Sequence, residues 1–151
     1  MNNIYQKLSD ARKAIREKNI KKDGTNEFSK YDYFTPESVE KLVSEACEKE
    51  KIICICNLEK DQLGYFQSLR VVNLEDTKEE LFFMLRTEKP AIKATNDTQQ
   101  MGGMDTYSER YIKMKVFCIK DNSLDFDAQD NRTSTPQNKK TVADLSEDDD
   151  L

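Results

Sequence analysis

The sequence predicts an α+β fold: a three-stranded antiparallel meander flanked by helices, followed by a disordered acidic C-terminal tail. Three observations predict it. Apolar residues recur at helical spacing over residues 3–18, 36–51 and from about Thr98 to Cys118. Between the second and third of these segments lie three β-branched and aromatic runs, separated by short turns. From Asn131 onward the composition changes to Thr, Ser, Pro, Asn, Gln and Lys, without apolar periodicity, and closes on a run of acids.

In the first helix Ile4, Leu8, Ala11 and Ile15 share one face, and Asn2 or Asn3 is placed to cap it. Arg12, Lys13, Arg16 and Lys18 take the other faces. Residues 19–30 read as a polar loop punctuated by Gly24, with Lys21 and Lys22 exposed on it, either a basic arm or a solvated connector. Tyr31-Asp32-Tyr33-Phe34 reads as extended, which sets Tyr31 and Tyr33 on one side, as core anchors or as a base-stacking platform. Thr35-Pro36-Glu37 starts the second helix with a cap, a proline at the first helical position and an acid in the first turn. Val39, Leu42, Val43, Ala46 and Cys47 form its apolar face.

Residues 52–58 are β-branched and apolar and are expected to form the central strand. Asp61-Gln62-Leu63-Gly64 turns the chain into a strand over 65–74. Alternation on it divides Phe66, Ser68, Arg70 and Val72 from Tyr65, Gln67, Leu69 and Val71. Glu75-Asp76-Thr77 turns again into a strand over 80–87, and Pro90 ends it.

The length of 151 residues suggests one folded domain, assigned to residues 1–128, with residues 129–151 as the tail. No run of 18 apolar residues is present, and the first residues, MNNIYQKLSDARK, lack the apolar centre of a signal peptide, so a cytoplasmic protein is expected. Cys47, Cys54, Cys56 and Cys118 are then reduced thiols. Cys54-x-Cys56 has no second pair at zinc spacing, so no metal is expected, and no cofactor. The chain contains no histidine, the usual acid-base residue near neutral pH. Net charge is −5, yet residues 1–30 hold eight Lys/Arg against four Asp/Glu, net +4. A polyanion-binding surface on this chain would therefore be a local strip.

The third helix concentrates the chemistry. Met104, Tyr107, Tyr111, Met114 and Cys118 fall on one stripe, with Thr106, Arg110 and Lys113 along one shoulder and Lys115 along the other. An amphipathic core helix with solvated lysines shows this pattern, and so does a helix that offers cations and aromatics to a nucleic acid. Gly102 and Gly103 stand at the opening of this stretch, where glycine suits a close backbone approach or a positive φ.

The block Gly102-Gly103-Met104-Asp105-Thr106-Tyr107-Ser108-Glu109-Arg110-Tyr111, then an apolar run to Phe117 and then Asp125 and Asp127, resembles the signature of the essential-recombination-function (ERF) family. The resemblance covers roughly residues 1–128. Glu109 stands where the family has its first arginine, and Leu124-Asp125-Phe126-Asp127 replaces a denser aspartate run. The family comprises phage and prophage proteins that bind and anneal single-stranded DNA. The resemblance implies a ring or filament of subunits joined edge to edge, with DNA along a groove between sheet and helix, in the cytoplasm of a host cell. It also implies a role in DNA recombination and repair without ATP and without catalysis.

On that reading the candidate DNA contacts are Lys21, Lys22, Lys30, Arg70, Arg86, Tyr107, Arg110, Lys113 and Lys115, and Gly102, Gly103, Thr106 and Tyr111 are motif positions. Asp148, Asp149, Asp150 and Leu151 close the tail as acids before a terminal leucine. This ending resembles the tails by which bacterial single-stranded-DNA-binding proteins recruit repair enzymes. Two other functions compete. An adaptor would act on a host DNA-metabolism factor through that tail. A metal-dependent nuclease would use Asp121, Asp125, Asp127 and Asp130, but these share one polar segment and have no carboxylate partner on a strand.

Overall fold

The computed structural model describes residues 1–28, 30–89 and 96–120. Pro90, the aspartates from Asp121 to Asp130, the remainder of the tail and its tip Asp148–Leu151 lie outside the described residues. Helix α1 spans Ile4–Glu17, and Asn3 caps it by accepting the Gln6 amide at 2.9 Å. Helix α2 spans Pro36–Glu50, with Thr35 accepting the Ser38 amide at 3.2 Å. It ends at Lys51 in the left-handed region, φ 56°, and this bend sends the chain directly into the sheet.

Between the two helices, where the sequence reads as a loop, the chain forms a short hairpin: β1, Gly24–Asn26, pairs antiparallel with β2, Tyr31–Tyr33. A strand of three polar residues is too short to show alternation, which is why periodicity passes over it. Asp23, just before it, accepts hydrogen bonds from the Thr35 amide at 3.0 Å, the Thr35 hydroxyl at 2.7 Å and the Ser38 hydroxyl at 3.0 Å. One carboxylate thus ties the hairpin to the start of α2. The Thr35 amide, foremost among these donors, holds the Asp23 carboxyl below its ordinary pKa.

The meander is β3 (Ile52–Asp61), β4 (Gly64–Asn73) and β5 (Glu80–Arg86), in that order across the sheet. The expected central strand is therefore an edge strand, and the centre is β4. Hydrophobicity alone suggested the middle position for β3, but β4 follows in a tight turn and pairs on both sides. Gly64 supplies the positive φ of 125° at that turn.

Register sets Cys54, Val71 and Leu81 side by side, then Cys56, Leu69 and Phe83. This face carries the core, with Leu69 and Val71 fully buried beneath the helices. The opposite face carries Ile53, Phe82 and Met84, which remain 43%, 59% and 44% exposed. Helix α3, Asp97–Val116, crosses the covered face and touches all three strands as well as α2.

The buried side of α3 differs from the expected stripe. Met104, Ser108 and Ile112 run down its centre, joined by Met114 and Val116 near its end. Tyr107 is 55% exposed, Tyr111 is half-buried and Cys118 is exposed. The row at spacing four wins over the aromatic row because Ser108 answers a polar group in the sheet. Gln67, on the core face of β4, donates to Ser108 Oγ at 2.8 Å and Asp105 Oδ1 at 2.9 Å.

Lys113 was expected on an exposed shoulder, but it is buried and ion-paired with Glu40 of α2 and with Glu109 at 2.9 Å. Burial pulls its pKa down, and the two carboxylates more than offset that, leaving it above its ordinary 10.5. The Lys113 ammonium holds Glu40 below its ordinary 4.5. A carboxyl whose folded pKa is lowered stabilises the fold above its unfolded pKa and loses that effect as pH falls through the folded pKa. We therefore expect Glu40→Gln to melt lower than the parent protein near neutral pH, with the difference shrinking below about pH 4.5. Thermal melts of both proteins across the acid range check this.

Candidate nucleic-acid interface

A groove of about 710 Å³ opens where the β1–β2 hairpin faces the first half of α3 and the start of α2. Its hairpin wall is Thr25, Asn26, Glu27 and Tyr33, and its helix wall is Gly102, Gly103, Thr106, Tyr107 and Arg110. The two glycines lie inside α3 and do not open it, since the helix begins at Asp97 behind an Asn96 capping box with Gln99. Neither has a positive φ, and a Cβ added at either would meet nothing within 4 Å. Their missing side chains leave a strip of bare helix backbone facing open space.

Arg110 sits beneath this wall. It is 9% exposed, and its Nη1 donates to the Phe34 carbonyl at 2.8 Å. Its guanidinium lies 5.3 Å from the ring centre of Tyr33, 5.4 Å from that of Tyr107 and 4.9 Å from that of Tyr111. Tyr107 and Tyr111 meet edge to face at 4.3 Å, and their hydroxyls are hydrogen-bonded at 2.5 Å. The charge is thus fixed among rings, within the range where an aromatic quadrupole attracts a cation. Gly24 belongs to the same arrangement, because a Cβ there would lie 2.7 Å from the Tyr33 ring.

The arrangement gives the groove a fixed positive centre, one exposed aromatic face at Tyr107, and a smooth stretch of wall at the glycines. A second, more acidic groove of about 410 Å³ continues from it along α2, sharing Pro36, Thr106 and Arg110. Lys21 and Lys22 precede β1 and Lys30 precedes β2, so these three cations flank the hairpin; Lys21 and Lys30 are exposed.

The structure gathers Gly102, Gly103, Thr106, Tyr107 and Arg110, with Tyr111 behind them. It places the others elsewhere. Arg70 and Arg86 lie on the sheet face away from the helices, where Arg70 pairs with Glu80 at 2.6 Å and Arg86 with Asp61 at 2.6 Å. The Arg86 hydrogen bond holds the Asp61 carboxyl at about 2. Lys113 is engaged with its carboxylates, and Lys115 is exposed some 18 Å along α3 from Gly103, at about 1.5 Å of rise per residue. The contribution of Thr25, Asn26 and Glu27 from the hairpin, and of Pro36 from the start of α2, was absent from the sequence reading. The legible signal was Gly24 followed by Tyr31-Asp32-Tyr33, a glycine and an alternating partner seven residues on.

A family model described as the ERF superfamily matches residues 4–150. Comparison with curated proteins and with solved structures gave no match.

The placement of Arg110 reverses an expectation. On an exposed shoulder it would matter for binding more than for folding. Buried with its Nη1 on the Phe34 carbonyl, it matters for both. Arg110→Ala removes that hydrogen bond, and one made by a charged group contributes roughly 1.5–3 kcal/mol. We expect a fall of that size in urea-unfolding stability. An unchanged urea midpoint would place the arginine outside the framework.

Proposed function

The chain belongs to the ERF superfamily, a family of recombination and annealing proteins, and from that premise we propose that it binds single-stranded DNA in the groove between hairpin and α3. It then anneals complementary strands without ATP, as a ring or filament, in the cytoplasm of a phage-infected or prophage-bearing cell. No helix among the described residues is long and apolar enough to cross a membrane. Residues 1–128 act as the binding and annealing unit and residues 129–151 as an acidic tail that contacts a host DNA-repair protein.

The observation that carries the reading is the groove itself: an exposed tyrosine and a buried arginine beside bare helix backbone, facing the hairpin. Single strands are held by cations along the backbone and by bases stacked on aromatic rings. Annealing asks for no nucleophile or general base. It requires an extended strand whose base edges stay free, so phosphate contacts dominate over base readout. Lys21, Lys22 and Lys30 beside the hairpin and Arg110 beneath the wall supply the positive field, and Tyr107 supplies a stacking face.

Two outcomes are expected. Anisotropy of a labelled oligonucleotide should show log affinity falling linearly with log salt, with a slope of about −0.7 per phosphate contacted. Tyr107→Ala should weaken that binding by roughly 1–3 kcal/mol, the range for one lost base stack. A flat salt response, or equal affinity for duplex, would reject the reading.

Gly103→Ala separates the groove from the fold. Alanine inside a helix is favoured over glycine by about 1 kcal/mol, and the new Cβ has room. The melting temperature should rise while single-strand affinity falls. A variant that is both more stable and equally tight would remove the glycine wall from the interface.

A further inference from the structure

Away from the groove, the last turn of α2 and the start of β3 bring two thiols together. Cys47 lies one turn before the end of α2 and Cys54 is the third residue of β3. The left-handed Lys51 between them folds the strand back toward the helix. The two sulfurs are 3.7 Å apart. Both line a cavity of about 320 Å³, which Glu40, Ser44 and Lys113 also wall. We propose that Cys47 and Cys54 are a dithiol modification site, which a low-molecular-weight disulfide entering this cavity converts to an intramolecular disulfide.

The geometry needs little change. A disulfide has its sulfurs about 2.05 Å apart, so from 3.7 Å the two sulfurs must approach each other by only about 1.6 Å. The order of events follows from the surroundings. The two thiols share one hydrogen bond, and this bond, with the nearby Lys113 ammonium, holds the Cys47 pKa below its ordinary 9.0. Cys54 is pushed up, first by that same hydrogen bond and then by burial. Cys47 is therefore the thiol that ionises and attacks. Cys56, on the same face of β3, is pushed up to about 12 by burial and stays protonated.

In the first step the Cys47 thiolate attacks one sulfur of the small disulfide RSSR. A Cys47–SR bond forms, the RS–SR bond breaks, and the departing RS⁻ takes up the proton Cys47 released. Capping Cys47 removes the negative charge that opposed ionisation of Cys54. Cys54 then loses its proton and attacks the Cys47 sulfur. The Cys47–Cys54 bond forms, and the second RS⁻ leaves and takes that proton. The protein thiols give up two electrons, and RSSR is reduced to two RSH.

The test uses the full chain with Cys118→Ser, which removes the exposed thiol, and hydroxyethyl disulfide as the probe. Trypsin digestion without reductant should yield residues 42–49 joined to residues 52–60, with fragmentation placing the bond on Cys54. Dithiothreitol should release it, and the oxidised protein should melt higher than the reduced one because its unfolded chain is constrained. Adding Cys54→Ser should trap the hydroxyethyl adduct on Cys47. Four results would overturn the site: a bond placed on Cys56, reaction only after unfolding in urea, an adduct on Cys47 that persists with Cys54 present, or no adduct in the Cys54→Ser protein. None of these readouts depends on DNA binding.

Discussion

The guanidinium of Arg110 holds the groove side of this protein together. It reaches from α3 to the carbonyl of Phe34, at the junction between hairpin and α2, and stands between the rings of Tyr33, Tyr107 and Tyr111. Three separate pieces of chain are thereby fixed to one charge: β2, the entry to α2, and the middle of α3. A buried cation is expensive to desolvate, and it is tolerated where hydrogen bonds and ring faces replace water. Those same rings line or back the groove. Nothing about the tyrosines can shift without disturbing the arginine, so folding and the shape of the groove are set by one group of contacts.

The two faces of the sheet show how little apolar material this chain has to distribute. All three helices lie on one side, over Leu69, Val71 and the inward residues of β3 and β5. The other side keeps Ile53, Phe82 and Met84 partly exposed between the ion pairs Arg70–Glu80 and Arg86–Asp61. Exposed pairs of this kind contribute little to stability, roughly 0–1 kcal/mol each. Their larger consequence is to occupy both arginines, so that the cationic character of the molecule shifts toward the hairpin.

The sequence was most legible where one local rule decides. The Thr35-Pro36 cap, the turn at Gly64 and the division of β4 into two faces all follow from short-range chemistry, and all are present. It misled where partners distant in sequence decide. Strand order could not be read from the hydrophobicity of β3, because order depends on which strand finds two neighbours. The face of α3 was misplaced because Ser108 is drawn inward by Gln67, 41 residues away. Lys113 looked like a solvated shoulder residue, but Glu40, 73 residues away, draws it in. In the site, the glycines, Thr106, Tyr107 and Arg110 were legible as one block. The hairpin opposite them was not, since three-residue strands carry no period.

Helix α3 joins two requirements that oppose each other. Its second half is core: Ile112, Met114 and Val116 are buried, and Arg12 of α1 donates to the Val116 carbonyl at 2.7 Å. Its first half carries adjacent glycines in the interior, which weaken a helix by about 1 kcal/mol each relative to alanine. No positive φ and no neighbouring atom among the described residues requires either glycine. The capping box at Asn96 and Gln99 and the bond from Gln67 to Asp105 stabilise the helix on both sides of that weak point. A capping interaction contributes about 1 kcal/mol, comparable to the cost of one glycine. The helix is therefore reinforced around a segment that local stability alone would have filled with alanine. A bare helix face opposite a tyrosine and above a fixed arginine is suited to an extended ligand that must lie against the backbone.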